Sequence, residues 1–210
     1  MKLHTTLWQG DRPVFETTEA TFAPDAQDER NLLNLYPDMR FQTLLGFGGA
    51  FTEAAGSVLN QMPETAREAV LQGYFGKDGL GYTVGRTHID SCDFSLGNYS
   101  AVTDPADTDF ATMNLARDEQ YILPYIQRAQ EIAGQDVRML LAPWSPPAFM
   151  KTNGQRNGGG ELLPQYRDAW AKYIARYITL LMQRGVHPLA VSTQNEPKAV
   201  QTWDSCVYTA

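Results

Sequence analysis

The chain has 210 residues, 43% of them hydrophobic, which is enough to bury a substantial core in one domain or two. Its 17 basic and 24 acidic side chains give a formal net charge of −7, and this balance disfavours nucleic acid and anionic membrane surfaces as partners. No apolar run is long enough to span a bilayer, and the first ten residues lack the apolar core of a secretory signal. We therefore expect a cytoplasmic protein without a membrane span.

The first forty residues predict strands and a connector rather than helices. They show no helical periodicity, and residues 17–22 alternate weakly between polar and apolar side chains. Residues 24–31 are polar and turn-like.

Strands and helices alternate from Phe41 onward. Apolar, β-prone runs predict strands at 41–47, 82–89, 137–142 and 189–191. Helical patterns of apolar residues predict intervening helices at 54–59, from Pro63, at 118–134 and at 164–184. This order predicts an α/β fold whose sheet is parallel and whose crossovers are right-handed. The polar connections at 90–117 and 143–162 are long, as is typical of functional loops.

Single residues mark where these helices begin and end. Pro63 is typical of a helix start, and Asp118 is a candidate cap for the next helix. Pro124 either kinks that helix or marks its effective beginning. Gly134 and Gly185 are expected just past the ends of the last two helices.

The glycine-rich stretch at 46–51 follows the first predicted strand. Glycines at such a place can admit the pyrophosphate of a dinucleotide to a helix N-terminus. The sixth position is Phe51, however, where close helix packing needs a small residue. We interpret the stretch as a tight strand-to-helix turn and predict no cofactor.

Metal sites and structural disulfides are not predicted. His4, His88 and His187 are scattered, without a pair at metal-ligand spacing. Cys92 and Cys206 are too few and too far apart for a disulfide scaffold or a four-thiolate site, so reduced thiols are expected.

The last predicted strand leads to an amide, a carboxylate and a proline, Asn195-Glu196-Pro197. The run at 189–191 is short and β-prone and is expected to be a buried strand. Ligands bind where parallel strands end, so a carboxylate there is a candidate site residue. The alternative is that Glu196 is only a favourable anion beside the positive end of a following helix.

Asp93 follows the second predicted strand and would lie at the same edge of the sheet as the acid after the last strand. Its alternative role is to cap a local turn. Arg86 lies inside that otherwise apolar strand, and a buried guanidinium there implies a partner carboxylate, although an outward or structural arginine is equally compatible. Trp144 follows the third strand, where two prolines stiffen the loop, and could be a sugar platform or part of the core.

Five motifs, in this order, resemble glycoside hydrolase family 30 near its glucosylceramidase-like branch. They are Gly-Phe-Gly-Gly-Ala-Phe-Thr-Glu at 46–53, Ser-Cys-Asp-Phe-Ser at 91–95, Pro-Trp-Ser-Pro-Pro at 143–147, Lys-Thr-Asn-Gly at 151–154 and Gln-Asn-Glu-Pro at 194–197. The resemblance implies a (β/α)8 TIM-type barrel joined to a small β-sandwich. Residues 1–40 would contribute sandwich strands and a connector, and residues 41–210 about four βα units, the first half of the barrel.

The resemblance also implies an activity, the hydrolysis of β-linked glycosides with retention, in sphingolipid or other carbohydrate metabolism. Glu196 matches the acid/base and Asn195 the amide that hydrogen-bonds the sugar 2-hydroxyl. Asp93 and Trp144 match residues that hold the sugar, and Phe94 is grouped with them as substrate-binding. A further match, Arg86, corresponds to the arginine near the nucleophile.

The family's nucleophilic glutamate lies on the seventh strand, beyond the strands found here. Retaining hydrolysis needs two carboxyl groups roughly 5 Å apart, and only one can be assigned. We expect a C-terminal half to complete the barrel and supply the nucleophile. Two alternatives stay open: a non-catalytic carbohydrate-binding or regulatory half, and an inverting enzyme in which Asp93 or Asp90 is the second carboxylate.

Overall fold

The computed structural model describes residues 1–24 and 33–209, and the chain divides into two compact units, Met1–Thr43 and Leu44–Ala210. The turn-like segment predicted at 24–31 falls, after Pro24, outside the described residues.

The described part of the first unit contains an antiparallel hairpin. Strand β1 is Lys2–Gln9 and strand β2 is Arg12–Glu19, paired from Lys2 opposite Glu19 to Gln9 opposite Arg12. A positive φ of 62° at Gly10 turns the chain between them. Strands were predicted here, but β2 begins earlier than the weak alternation indicated.

In its described residues, 44–209, the second unit is a four-stranded parallel sheet with four α-helices, as the βα alternation predicts. Its strands are β3 (Gly48–Phe51), β4 (Val84–Ile89), β5 (Arg138–Pro143) and β6 (His187–Val191). Its helices are α1 (Glu53–Gln61), α2 (Glu64–Phe75), α3 (Leu123–Ala133) and α4 (Arg167–Met182). The sheet order β3-β4-β5-β6 follows the chain, so every strand end of one polarity lies at one edge.

The first strand of this sheet differs from its prediction. The glycine-rich stretch is itself strand β3, whereas the predicted strand at 41–47 is not a strand, and the interpretation as a tight turn is wrong. The reason is a close approach of two strands. A Cβ on Gly48 would lie 1.4 Å from the carbonyl oxygen of Val84 on β4, so no larger residue fits there.

The predicted helix boundaries hold at most points. Pro63 precedes α2, and Gly134 ends α3 with a left-handed φ of 64°. Pro124 lies at the start of α3, after a π-helical turn at Asp118–Ile122, and so marks the effective beginning of that helix. The predicted cap is wrong, because the carboxylate of Asp118 makes no capping hydrogen bond and is buried.

The core lies between the sheet and the helices. On β5, Met139 and Leu141 point to the helix side and are completely buried, whereas the alternating residues face the opposite side. Burying each such side chain contributes roughly 1.5–3 kcal/mol. Among the described residues β6 has only one neighbouring strand, and its Val191 is 48% exposed, so the prediction that this strand is buried is wrong.

Candidate active site

A cleft of about 200 Å³ lies at the carboxyl ends of the parallel strands. It contains every site residue predicted from the sequence, Arg86, Asp93, Phe94, Trp144, Asn195 and Glu196. These residues are up to 110 positions apart in the chain, and they meet because parallel strands bring their ends to one edge. Half-buried and buried neighbours, including Thr52 and His88, complete the lining.

The segment after β6 is held against the end of β5. The backbone N–H of Asn195 donates to the carbonyl of Pro143 at 2.8 Å. The side-chain amide of Gln194, which is buried, donates to the carbonyl of Trp144 at 2.7 Å and to that of Asn195 at 2.9 Å. These bonds fix the backbone next to Glu196 in the cleft wall.

Glu196 itself is exposed and has a φ of 45°, in the left-handed region that non-glycine residues seldom adopt. Such strain costs about 1–3 kcal/mol and clusters at functional sites, where it aims a side chain. The side-chain amide of Gln201 lies 3.5 Å from its Oε2. No helix follows β6 within residues 192–209, so the alternative role as an anion at a helix start has no support.

Arg86 joins two of the other predicted residues. Its Nη2 donates to Oδ1 of Asn195 at 2.6 Å, and its guanidinium lies 4.5 Å from the centre of the Trp144 ring. The partner is thus an amide and an aromatic face, because no carboxylate among residues 1–24 and 33–209 lies within 4.0 Å. The carboxylate expected beside a buried Arg86 is not found in the described part of the chain, where Arg86 is only half-buried.

Trp144 is 8% exposed and packs with Ala142 and Cys92 as well as against the guanidinium. Most of its ring is buried, as expected for a residue of the core, and the ring also lines the cleft, while its role as a sugar platform stays a prediction. The stacked cation fixes the orientation of the indole plane.

Asp93 and Phe94 form the part of the cleft wall that follows β4, and both are exposed. The turn that carries them is closed by Ser95, whose Oγ accepts from the N–H of Cys92 at 3.0 Å and whose N–H donates to the carbonyl of Cys92 at 3.0 Å. Asp93 makes no hydrogen bond within the described segments, so it is not the residue that closes this turn.

His88 is a cleft residue that the sequence analysis did not single out. Its Nδ1 lies 2.5 Å from the carbonyl of Asp90 and must donate, and its Nε2 accepts from the N–H of Glu53 at 3.2 Å. This arrangement needs the neutral ring, and burial lowers the pKa of His88 accordingly. Its position two residues after Arg86, on the same face of β4, is the signal that could have revealed it.

Asp90 does not reach the cleft and is held in a buried ion cluster. Its carboxylate accepts from Tyr173 at 2.6 Å and from the N–H of Ala101 at 2.9 Å, and pairs with Arg156 at 3.2 Å. The same guanidinium pairs with Asp204 at 2.5 Å. Burial raises the pKa of Asp90 against the effect of this partner. The alternative in which Asp90 serves as a second catalytic carboxylate is therefore wrong.

Lys151, the first residue of the Lys-Thr-Asn-Gly motif, is likewise buried outside the cleft and has a structural role. Its buried ammonium donates to the carbonyls of Arg156 at 2.9 Å and Ser205 at 2.6 Å, and burial lowers its pKa to about 8. Within the described ranges, no cluster of three or more His, Cys, Asp or Glu side chains could hold a metal ion.

The chain was compared with known proteins. A family model described as the glycosyl hydrolase family 30 TIM-barrel domain matches residues 44–207. "Putative glucosylceramidase 4" of Caenorhabditis elegans is 38% identical over 162 residues, which cover 75% of this chain and 31% of that protein. The crystal structure of SrfJ from Salmonella typhimurium has a TM-score of 0.85 at 40% identity and covers 93% of this chain and 43% of its own.

A second solved structure, an endo-β1,6-glucanase, has a TM-score of 0.77 at 28% identity and covers 91% of this chain and 42% of its own. The chain spans about a third of the length of the curated relatives it matches.

Four parallel strands connected by helices, with a cleft at their carboxyl ends, define part of a TIM-barrel domain, as predicted. The chain belongs to glycosyl hydrolase family 30. No helix in the described part of the chain is long and apolar enough to cross a membrane.

Proposed function

We propose that this chain supplies the acid/base half of the active site of a retaining β-glycosidase. The observation that carries the proposal is the convergence of six side chains from three strand ends in one cleft. Among them Glu196 is exposed in a strained backbone conformation and has no ion-pair partner among the described residues, so its carboxyl group is free to meet a ligand.

The remaining cleft residues suit the recognition of one sugar ring. Trp144 contributes the part of its ring that lines the cleft to the apolar side of the sugar, and the exposed ring of Phe94 adds a second apolar surface. Asp93 and Asn195 can bond sugar hydroxyls, because a carboxylate accepts and an amide both donates and accepts. Arg86 already occupies Oδ1 of Asn195, which leaves the amide NH₂ of Asn195 for the substrate.

In the proposed reaction, Glu196 donates its proton to the glycosidic oxygen as the bond from that oxygen to C1 breaks. A second carboxylate attacks C1 and forms a glycosyl–enzyme ester. Glu196, now ionised, takes a proton from water, whose oxygen attacks C1 and releases the nucleophile and the sugar. The configuration at C1 is inverted twice and thus retained.

The nucleophile in this proposal comes from residues that complete the barrel. An apolar groove of about 710 Å³ runs beside β3, lined by residues such as Val58, Tyr74 and Tyr82. The other outer strand, β6, exposes Val191. Both sides are surfaces that further βα units of a closed barrel would cover. Arg86 would then lie near the incoming carboxylate and stabilise its ionised form.

The substrate class proposed is a β-linked glucoside, with a lipid or a sugar as the leaving group. The relatives are named for both kinds of substrate, glucosylceramide and β1,6-glucan. A panel of nitrophenyl β-glycosides would identify the sugar, and hydrolysis of glucosylceramide compared with β1,6-glucan would identify the leaving group.

Glu196→Gln tests the catalytic assignment. The variant should lose hydrolysis of glycosides with poor leaving groups by at least about 10²-fold, since general acid catalysis contributes that much or more. Aryl glycosides with reactive leaving groups need no proton and should keep their first step. Glu161→Gln, which removes an exposed carboxylate outside the cleft, is the matched control. Equal retention of both activities in the Glu196 variant would refute the role.

A non-catalytic sugar-binding half is a second candidate, favoured by one observation. Asp93 and Glu196 are the only carboxylates among the described residues that line the cleft, so with Asp93 assigned to sugar binding none of them is left to act as the nucleophile. The mass of the native protein distinguishes the glycosidase from the non-catalytic sugar-binding half. A mass equal to that of the 210 residues, with sugar binding but no hydrolysis, would establish the second candidate.

A further inference from the structure

The wall of the cleft that carries Asp93 is attached to the first turn of α1 by two hydrogen bonds. The N–H of Ala54 donates to the carbonyl of Phe94 at 3.0 Å. The carboxylate of Glu53 accepts from the N–H of Leu96 at 2.8 Å. The backbone on the C-terminal side of Asp93 is therefore held by one side chain and one backbone group of a neighbouring βα unit.

Glu53 is completely buried and its own position is tightly determined. Arg117 grips both carboxylate oxygens, with Nε at 2.5 Å and Nη2 at 2.6 Å. The guanidinium in turn lies 4.4 Å from the centre of the Tyr99 ring, on the same loop as Asp93. A bidentate pair of this kind has one preferred geometry. The pair therefore holds the loop that contains Tyr99 and Asp93 in a fixed position relative to α1.

The backbone of Glu53 also makes a hydrogen bond to a residue that lines the cleft and belongs to β4. Its N–H donates to Nε2 of His88, which lines the cleft at the end of β4. Thr52, the residue before it, caps α1 by accepting from the N–H of Ala55 at 3.2 Å and also lines the cleft. One residue thus connects a strand-end side chain with the loop that bears the exposed carboxylate.

We propose that Glu53, gripped by Arg117, is a positioning residue that holds Asp93 at the distance at which it bonds a sugar hydroxyl. This inference rests on the proposed function of the cleft and adds a residue to it that does not touch the substrate. A carboxylate placed at the start of a helix is favourable in itself, but that role would not require the bond to Leu96.

The experiment is a double-mutant cycle between Glu53→Gln and Asp93→Asn in the protein with its completed barrel. Glu53→Gln keeps the size of the side chain and removes the charge that orients Arg117. We expect kcat/KM for the best aryl β-glycoside to fall about tenfold, because small misplacements of a binding group have effects of this order. In the Asp93→Asn background the same change should cost less than about twofold, since Glu53 then has no carboxylate to position.

Two further variants separate positioning from simple stability. Arg117→Lys keeps the positive charge but removes the bidentate contact with Glu53. It should reduce kcat/KM, as Glu53→Gln does, while its midpoint of thermal unfolding stays closer to that of the wild type. Glu68→Gln removes one of the two carboxylate partners of Arg128, in an exposed ion pair of 2.6 Å outside the cleft lining, and should leave kcat/KM unchanged.

The outcomes distinguish this inference from the proposed function. Additive effects of the two substitutions, with hydrolysis intact in the wild type, would overturn the positioning role and leave the glycosidase proposal standing. Absence of hydrolysis by the wild type on every glycoside of the panel would overturn both. If Glu53→Gln does not fold, the cycle is run with Arg117→Lys, and additivity there overturns the inference equally.

Discussion

Asp118 gives a sharp test of how burial and hydrogen bonding act in this core. Asp118 is only 1% exposed, and the hydroxyl of Tyr177 lies 2.8 Å and 2.7 Å from its two carboxyl oxygens. Burial raises the pKa of Asp118 to about 7, while the bond from Tyr177 opposes the increase. The folded state therefore binds a proton at pH values at which the unfolded chain has released it.

The sign of the effect follows from this difference. Between the ordinary pKa of 3.8 and about 7, the folded protein binds more protons than the unfolded chain, so stability falls as pH rises. The difference corresponds to a loss on the order of 4 kcal/mol, essentially complete once the pH exceeds about 7. Asp118→Asn keeps the shape and a hydrogen-bonding partner for Tyr177 but cannot ionise, so it should remove this loss.

The assay is urea unfolding of the wild type and the Asn variant at several pH values from 4 to 8. The stability of the variant relative to the wild type should rise with pH, and the variant should be the more stable protein at pH 8. Asp109→Asn makes the same chemical change at an exposed residue and serves as the control. A difference that stays constant from pH 4 to pH 8, or a variant that is less stable throughout, would show that the folded state does not raise the pKa of Asp118.

Two other substitutions test the fold. Gly48→Ala should destabilise the protein by several kcal/mol, because its Cβ would overlap the carbonyl of Val84; a change below about 1 kcal/mol in urea unfolding would contradict the close approach. Arg156→Leu should cost about 3–5 kcal/mol, because it leaves two buried carboxylates unpaired, whereas Arg156→Lys should cost less. Equal losses for Leu and Lys would show that the charge of Arg156 is unimportant.

The sequence predicted the residues of the cleft better than it predicted their partners. Arg86 was expected beside a carboxylate, but its described partners are the amide of Asn195 and the ring of Trp144. The type of partner depends on which atoms of neighbouring strands lie side by side, and this depends on register. A one-residue slip between β4 and β5 would turn Arg86 away from the cleft, and nothing in a single strand's sequence specifies that register.

Glu53 and Asp118 are two further residues whose partners could not be predicted from the sequence. In the sequence both are acids near helix starts, the usual place for caps and favourable charges. Both are buried in the structure, where Glu53 forms an ion pair with Arg117 and Asp118 accepts a hydrogen bond from Tyr177. Their partners lie 64 and 59 positions away in the chain, so local pattern carries no information about them.

The βα order, the helix ends near Pro63, Pro124 and Gly134, and the place of Glu196 after the last strand could be predicted from the sequence. These features depend on backbone sterics and short-range periodicity, which a linear pattern contains. Three features became visible only in the folded chain: Gly48 lies in a strand, Val191 is exposed, and the carboxylate of Glu53 accepts from the N–H of Leu96. Each of these depends on which distant segment lies alongside, and that choice is made by packing rather than by local preference.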